Sequence, residues 1–333
     1  PGVKPALVTC ADTGQQAAFV AQRILELRDE GVPLPGIAVL YRSHFHALEL
    51  QLELTRRNIP FVITSGVRFF EQAHIKDVAA WLKVLFNPRD ELAFRRLVRL
   101  LPGVGGKTAE RLWHRFLGAL QEGTPLAVTL EGCRPAVPKK TALAWAQFTA
   151  TVSQLEQPAV RNHPAAAIRL VLEAGYEDHL KAQYTNYRAR REDLEQLGVF
   201  ARQFASTEEF LSQLALLTNL EVDDERPAAS DSEQIRLSTV HQAKGLEFDV
   251  VFVIMLCDGL FPSSRSLSTP EGEEEERRLF YVAITRARQE LYLSHPLLRR
   301  STVREEEKLE RPSRFLEEVP LDLLEEWNLH GLA

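Results

Sequence analysis

The sequence predicts an α/β protein in which a parallel sheet covered by helices is interrupted by a long, mostly helical insertion. Three observations carry this reading. The first 87 residues alternate short apolar runs of strand length with segments of helical periodicity. From about Pro88 to Pro227 the periodicity is helical, with almost no strand signal. Strand-length apolar runs return at Ile235.

Taken in order, Ala6 to Thr9 reads as a short buried strand. Asp12 or Thr13 caps a helix that carries Ala17, Val20, Ile24 and Leu27 on one face, and Gly31 stops it. Ile37 to Tyr41 is a continuous apolar strand, followed by a helix with Phe45, Leu48 and Leu52 in register. Phe61 to Ile63 forms another strand, and Ile75, Val78, Ala79, Leu82 and Leu85 one more amphipathic helix. Beyond the insertion come strands at Ile235 to Val240 and Val250 to Ile254. A charged helix from about Glu273 to Ala287 and a closing strand at Gln289 to Leu293 complete the set. The expected organisation is a sheet domain in two parts, residues 1–87 and 233–298, around an insertion at 88–232. Its return linker is the acidic stretch Glu221 to Ser232, and residues 299–333 form a charge-rich, partly ordered tail.

The 333 residues are 45% hydrophobic and 26% charged, enough to bury one or two ordinary cores, and the length favours two domains. No apolar run reaches the roughly 18 residues that cross a bilayer. No basic, apolar leader opens the chain, so a cytoplasmic location with no membrane partner is expected. Cys10, Cys133 and Cys257 are far apart and unpatterned, which predicts buried reduced thiols rather than a disulfide or zinc framework. The net charge is −6, so any grip on nucleic acid must come from local basic patches.

Three segments carry chemistry. The strand Ile37 to Tyr41 ends in Tyr41 and Arg42, at the end of an α/β strand where ligands gather. A ring that stacks on a base and a guanidinium that forks onto phosphate suit a nucleotide. Taken alone, the segment reads better as a surface Tyr-Arg pair. Between two buried strands, a loop presents Thr239, His241, Lys244, Gly245 and Glu247. Such a density of polar groups is rarely a mere connector, and a lone His and Glu make a poor metal site. The third segment runs from Glu274 through Tyr281 to Arg288, with Leu279, Val282, Ala283 and Ala287 at helical spacing. Its acidic run, Glu273 to Glu276, reads as a solvated face, as does Glu305 to Glu307.

In this order and spacing the segments closely resemble the UvrD/Rep/PcrA family of superfamily 1 helicases. Ile37 to Ser43 resembles motif IV, Thr239 to Phe248 motif V, and Tyr281 to Arg288 with its Glu-Arg-Arg lead motif VI. Weaker matches are Gly66 to Asp77, Asp258-Gly-Leu-Phe-Pro262, Pro312-Ser-Arg-Phe-Leu316 and Arg188 to Leu197. The resemblance implies a second RecA-like motor domain interrupted by the family's helical subdomain. It further implies that Tyr41 stacks on adenine, that Arg42 and Arg286 act as arginine fingers, and that Glu247 touches the ribose. Thr239 and His241, with Lys244, would contact single-stranded DNA. Polarity, 3′ to 5′, follows from the resemblance alone.

Leu101-Pro-Gly-Val-Gly-Gly-Lys-Thr108 imitates a phosphate-binding loop but lacks its first glycine and a preceding strand. A tight turn between two helices fits better. There Gly103, Gly105, Lys107, Thr108 and Arg111 meet duplex DNA, with a purely structural turn as the alternative. From Arg89 to Arg115 seven basic residues face three acidic ones.

No Walker A loop, Mg²⁺-binding Asp-Glu pair or catalytic glutamate is recognisable in these residues. The expectation is therefore the C-terminal portion of an ATP-dependent helicase, inactive as an ATPase alone. ATP and Mg²⁺ would act in the full-length parent, with neither tightly bound here. Expected partners are single-stranded and duplex DNA, an N-terminal RecA-like domain, and DNA-repair or replication proteins. A stand-alone DNA-binding or docking module that kept the fold is the competing reading. A nuclease-fused relative ranks last, because no acidic cluster with a lysine follows Arg288.

Overall fold

The structure is a computed structural model that describes residues 3–64, 69–222, 233–300 and 307–329. It divides into two compact units, one formed by Pro1–Arg68 with Leu220–Ala333 and the other by Phe69–Asn219.

The first unit begins β1 (Ala6–Asp12), α1 (Thr13–Asp29), β2 (Ile37–Tyr41), α2 (Leu48–Arg56) and β3 (Phe61–Thr64). The second unit runs through α3 (Ala73–Phe86), α4 (Glu91–Val98), α5 (Gly106–Ala119), α6 (Leu126–Gly132) and α7 (Ala142–Leu155). It continues with α8 (Pro158–Arg161), α9 (Pro164–Val171), α10 (Glu177–Gln183), α11 (Tyr187–Ala201) and α12 (Thr207–Val222). The first unit then resumes with β4 (Ile235–Thr239), β5 (Phe248–Val253), α13 (Pro270–Ile284), β6 (Ala287–Arg300), β7 (Glu307–Leu309), α14 (Arg314–Glu317) and β8 (Glu325–Asn328).

The sheet order is β3-β4-β2-β5-β6-β1-β8. All these neighbours pair in parallel, while β7 adds to β6 antiparallel. This is a RecA-like α/β architecture with a helical insertion. No two of β1, β2 and β3 pair with each other; each lies beside strands from after residue 233.

The apolar runs become strands because both sheet faces are covered. In β2, Ile37, Val39 and Tyr41 enter one core with Val20, Ile24, Leu27, Leu50 and Leu54. Ala38 and Leu40 enter the opposite core with Leu279, Phe280, Ala283, Phe315 and Leu316. This is the period-2 alternation of a strand, read on two buried faces. Asp12 caps α1, its Oδ1 accepting the Gln15 amide at 2.8 Å, and Gly31 leaves the helix at φ +94°. The thiols of Cys10, Cys133 and Cys257 are buried and unbridged, and burial pushes them up to about 12, 11 and 12 respectively.

Two boundaries differ from the expectation. The division at residues 68/69 lies upstream of residue 88, because α3 packs on α4, α9 and α11. The segment 307–329 is not a tail: β8 continues the sheet beyond β1, and Phe315 and Leu316 are 1% and 4% exposed. The expected linker, apart from the last turn of α12, falls outside the described residues, as does most of the acidic run at 305–307.

In the second unit, Phe94, Trp113 and Phe116 form an aromatic cluster that fixes α4 on α5, with Phe94 and Phe116 stacked at 4.7 Å. A buried polar network joins two of the segments singled out in the sequence. His74 lies between Arg190 (Nη1 to Nδ1, 2.8 Å) and Asp193 (Nε2 to Oδ2, 3.2 Å). Arginine only donates, so Nδ1 accepts and the ring's proton is on Nε2, facing Asp193. Asp77 accepts from Arg96 and from the Tyr176 hydroxyl, each at 2.6 Å. The role of the Arg188 to Leu197 string is thus to brace α3 against α11.

Candidate functional site

Tyr41 and Thr239 are register partners in neighbouring parallel strands. The segments that follow them, Arg42 and the Val240–Leu246 turn, therefore leave the same end of the sheet. The Val240 amide donates to the Tyr41 carbonyl at 3.0 Å and closes that junction. Glu247 and Arg286 instead precede β5 and β6, whose first residues Phe248 and Ala287 are paired. They lie at the other end of the strands. The sheet thus splits the expected residues into two groups, with α13 running between them.

Arg42 is engaged side-on by Glu276. Its Nε reaches Oε1 and Oε2 at 2.9 and 3.0 Å, and its Nη2 reaches Oε1 at 2.7 Å. Glu276 is only 1% exposed, which corrects its expected place on a solvated face. It lies three, four and seven residues before Leu279, Phe280 and Ala283, and so shares their buried stripe. That spacing was the available signal. Glu274 and Glu275 do face solvent and pair with Arg277 and Arg278.

Tyr41 is fully buried. Strand alternation turns its ring into the core shared with α1 and α2, so it has no face open for adenine stacking. Thr239 is 8% exposed, and its hydroxyl donates to the Gln242 carboxamide oxygen at 3.1 Å. His241 and Lys244 are exposed on the following turn, where Gly245 takes φ +89°. Partial desolvation by its neighbours, and then the Arg42 charge, hold His241 below the ordinary imidazole range.

At the other end, Arg286 donates to the carbonyls of Val282 (3.0 Å) and Leu246 (2.8 Å) and to the Thr285 hydroxyl (3.1 Å). It ties the end of α13 to the polar loop. Glu247 pairs with Arg288 at 3.1 Å, both more than half exposed. Such a pair is worth little and exchanges readily for another partner.

The other two weak strings also meet. The Asp258 carboxylate accepts the Arg314 backbone amide at 2.9 Å and its guanidinium at 3.2 Å. Phe261 and Phe315 both contact the Phe280 ring.

In the second unit, Gly103 to Gly105 form the turn between α4 and α5. Gly103 takes φ +78°, and Gly105 is the N-cap of α5. Lys107 and Arg111 are exposed, Thr108 half-buried. Arg111 and Arg115 donate to the Ala136 and Gly132 carbonyls, each at 3.1 Å, at the C-terminal end of α6 and the turn beyond it. The negative partner that their spacing demanded is thus in part this chain's own carbonyls. Lys140, unnoticed in the sequence, lies over Gly103 so closely that a Cβ there would come within 2.1 Å of its Cε. The Thr141 hydroxyl holds this Lys139–Lys140 turn on the Pro102 carbonyl at 2.8 Å.

A RecA-like sheet thus presents an arginine and a polar loop at one strand end. Comparison with known proteins assigns its family. The family described as UvrD-like helicase C-terminal domain matches residues 1–119 and 144–296, and the chain belongs to that family. DNA helicase II of Haemophilus influenzae is 33% identical, aligning with 95% of this chain and 44% of its own length. ATP-dependent DNA helicase PcrA of Bacillus subtilis is 32% identical over 94% and 43%, and DNA helicase II of Escherichia coli 33% over 95% and 44%. The chain thus spans a little under half the length of these relatives.

Proposed function

We propose that this chain is the second motor-domain portion of an ATP-dependent DNA helicase or translocase that moves 3′ to 5′. The observation that carries the reading is the Tyr41–Thr239 register. It sets Arg42, the residue for nucleotide phosphate, beside Thr239 and His241, the residues for single-stranded DNA. A change at one is felt at the other through a single strand pair. Lys244 extends the DNA-facing turn, and Glu247 exchanges Arg288 for a ribose hydroxyl.

Arg42, and Arg286 from the opposite strand end, are the positive charges this reading assigns to the nucleotide's phosphates. For Arg286 this exchanges neutral carbonyl acceptors for a charged oxygen, which makes a stronger hydrogen bond. Mg²⁺ accompanies the nucleotide, and no cluster of three or more metal-ligating side chains is present among the described residues to hold it. Its ligands and the phosphate-binding loop belong to the N-terminal RecA-like domain in this reading, and residues 1–333 alone do not hydrolyse ATP.

The test uses the full-length protein that carries this chain. Arg286→Ala is expected to lower kcat for DNA-stimulated ATP hydrolysis by at least about 100-fold while single-stranded DNA affinity is kept. Turnover within about threefold of wild type, a barrier change under 1 kcal/mol, refutes the finger role. ATP hydrolysis by residues 1–333 alone, lost on Arg286→Ala, refutes the division of labour.

A further inference from the structure

A carboxylate buried on the apolar stripe of a helix must be matched by positive charge and hydrogen bonds. Glu276 is so matched. Besides Arg42, it accepts the Ser263 amide at 3.2 Å on Oε2 and the Ser266 hydroxyl at 2.8 Å on Oε1. The segment that supplies these donors is pinned to α13. The Ser266 carbonyl approaches Gly272 so closely that a Cβ there would come within 2.2 Å of it, and Thr269 caps the helix through the Gly272 amide at 3.1 Å. The carboxylate therefore has a fixed position and orientation before it meets Arg42.

The manner of engagement matters. A carboxylate that met Arg42 end-on would occupy both terminal nitrogens and leave neither for a phosphate. Glu276 takes Nε and Nη2 instead. Among the described residues Nη1 has no hydrogen-bond partner, and the side chain is 22% exposed. One edge of the guanidinium is tethered, and Nη1 is left for another partner.

We infer that Glu276 is a positioning residue, which holds Arg42 side-on so that Nη1 is presented, already oriented, to the terminal phosphoryl group of the nucleotide. The inference rests on the arginine-finger reading above. An untethered arginine must be ordered during the reaction, whereas a tethered one is ordered beforehand, and such preorganisation acts on the transition state.

The experiment compares Glu276→Gln, Arg42→Ala/Glu276→Gln and wild type in the full-length protein. The double variant avoids leaving a buried carboxylate without its partner. In Glu276→Gln, kcat should fall by roughly 10- to 100-fold, the loss that small misplacement brings, with KM for ATP and DNA affinity unchanged. Affinity for ADP with aluminium fluoride, a transition-state mimic, should fall in parallel while ADP affinity stays the same. The double variant, which lacks the finger itself, should be impaired at least as much as Glu276→Gln. Normal kcat and mimic affinity in Glu276→Gln, with an impaired double variant, overturn the positioning role and leave the finger intact. If neither variant is impaired, the finger reading itself fails. Should Glu276→Gln lower the melting temperature sharply, Ser266→Ala serves instead. It removes one anchor of the carboxylate but keeps the ion pair, and an unchanged kcat and mimic affinity there overturn the inference.

Discussion

His46 lies three residues beyond Ser43 in the segment that follows Arg42, 5% exposed, with no hydrogen bond to its Nδ1 among the described residues. Burial, followed by the charges of Arg299 and Arg42, pushes its imidazole down to about 3. The unfolded chain takes up this proton near pH 6.5, the folded one only near 3. Stability is therefore lost as pH falls through that window, by at most about 1.4 kcal/mol per pH unit from this group. His46→Leu should flatten the fall in melting temperature between pH 7.5 and 5. Parallel melting curves for the two proteins would show that the ring does not set acid sensitivity. At this scale the sequence was read for residue type but not for direction. Arg42 and Glu276 were both visible, and the spacing of Glu276 from Leu279, Phe280 and Ala283 was the signal that one end of the acidic run turns inward. Tyr41 could have been read correctly, since alternation with Ile37 and Val39 already assigns its ring to a covered face.

The α4–α5 turn shows how an element sorts similar side chains into different tasks. Arg111 and Arg115 secure α5 to the end of α6, whereas Lys107 and Lys140 flank the glycine turn with exposed ammonium groups. The α5 N-terminus adds free amides that favour an anion. If duplex DNA docks here, Lys107→Ala/Lys140→Ala should reduce the slope of log affinity against log salt by about 0.9 for each phosphate no longer neutralised. Arg115→Ala should instead lower the melting temperature and leave that slope unchanged. A double variant with wild-type slope would return the turn to a structural role. The central strands were legible because parallel strands covered on both faces need unbroken apolar runs. β7 and β8 were not, because they span three and four residues at strongly polar positions. Only Trp327 of β8 carries a large apolar side chain, set against Phe19 and Tyr292.

At the scale of the whole molecule, the second unit is one continuous stretch, whereas the first is assembled from two. That split was legible from the loss and return of strand periodicity, although the exact seam was not, because an amphipathic helix such as α3 does not declare which core it serves. A consequence follows for synthesis. Because β1, β2 and β3 pair only with strands from after residue 233, they leave the ribosome with no partner. The interval between Thr64 and Ile235 lasts about 10 to 35 s at typical elongation rates. Residues 69–219 find all their partners within their own stretch meanwhile and can close on them before Ile235 is made. Nascent chains arrested with residue 222 just outside the ribosomal exit should thus show residues 69–219 resisting protease and residues 3–64 cut rapidly; protection of both would mean that the early strands find shelter before their partners exist. In the expected case Ile37 to Tyr41, apolar on both faces, waits through that interval as a sticky, unpaired ribbon, and the yield of this protein in the cell depends on what holds it until β4 and β5 arrive.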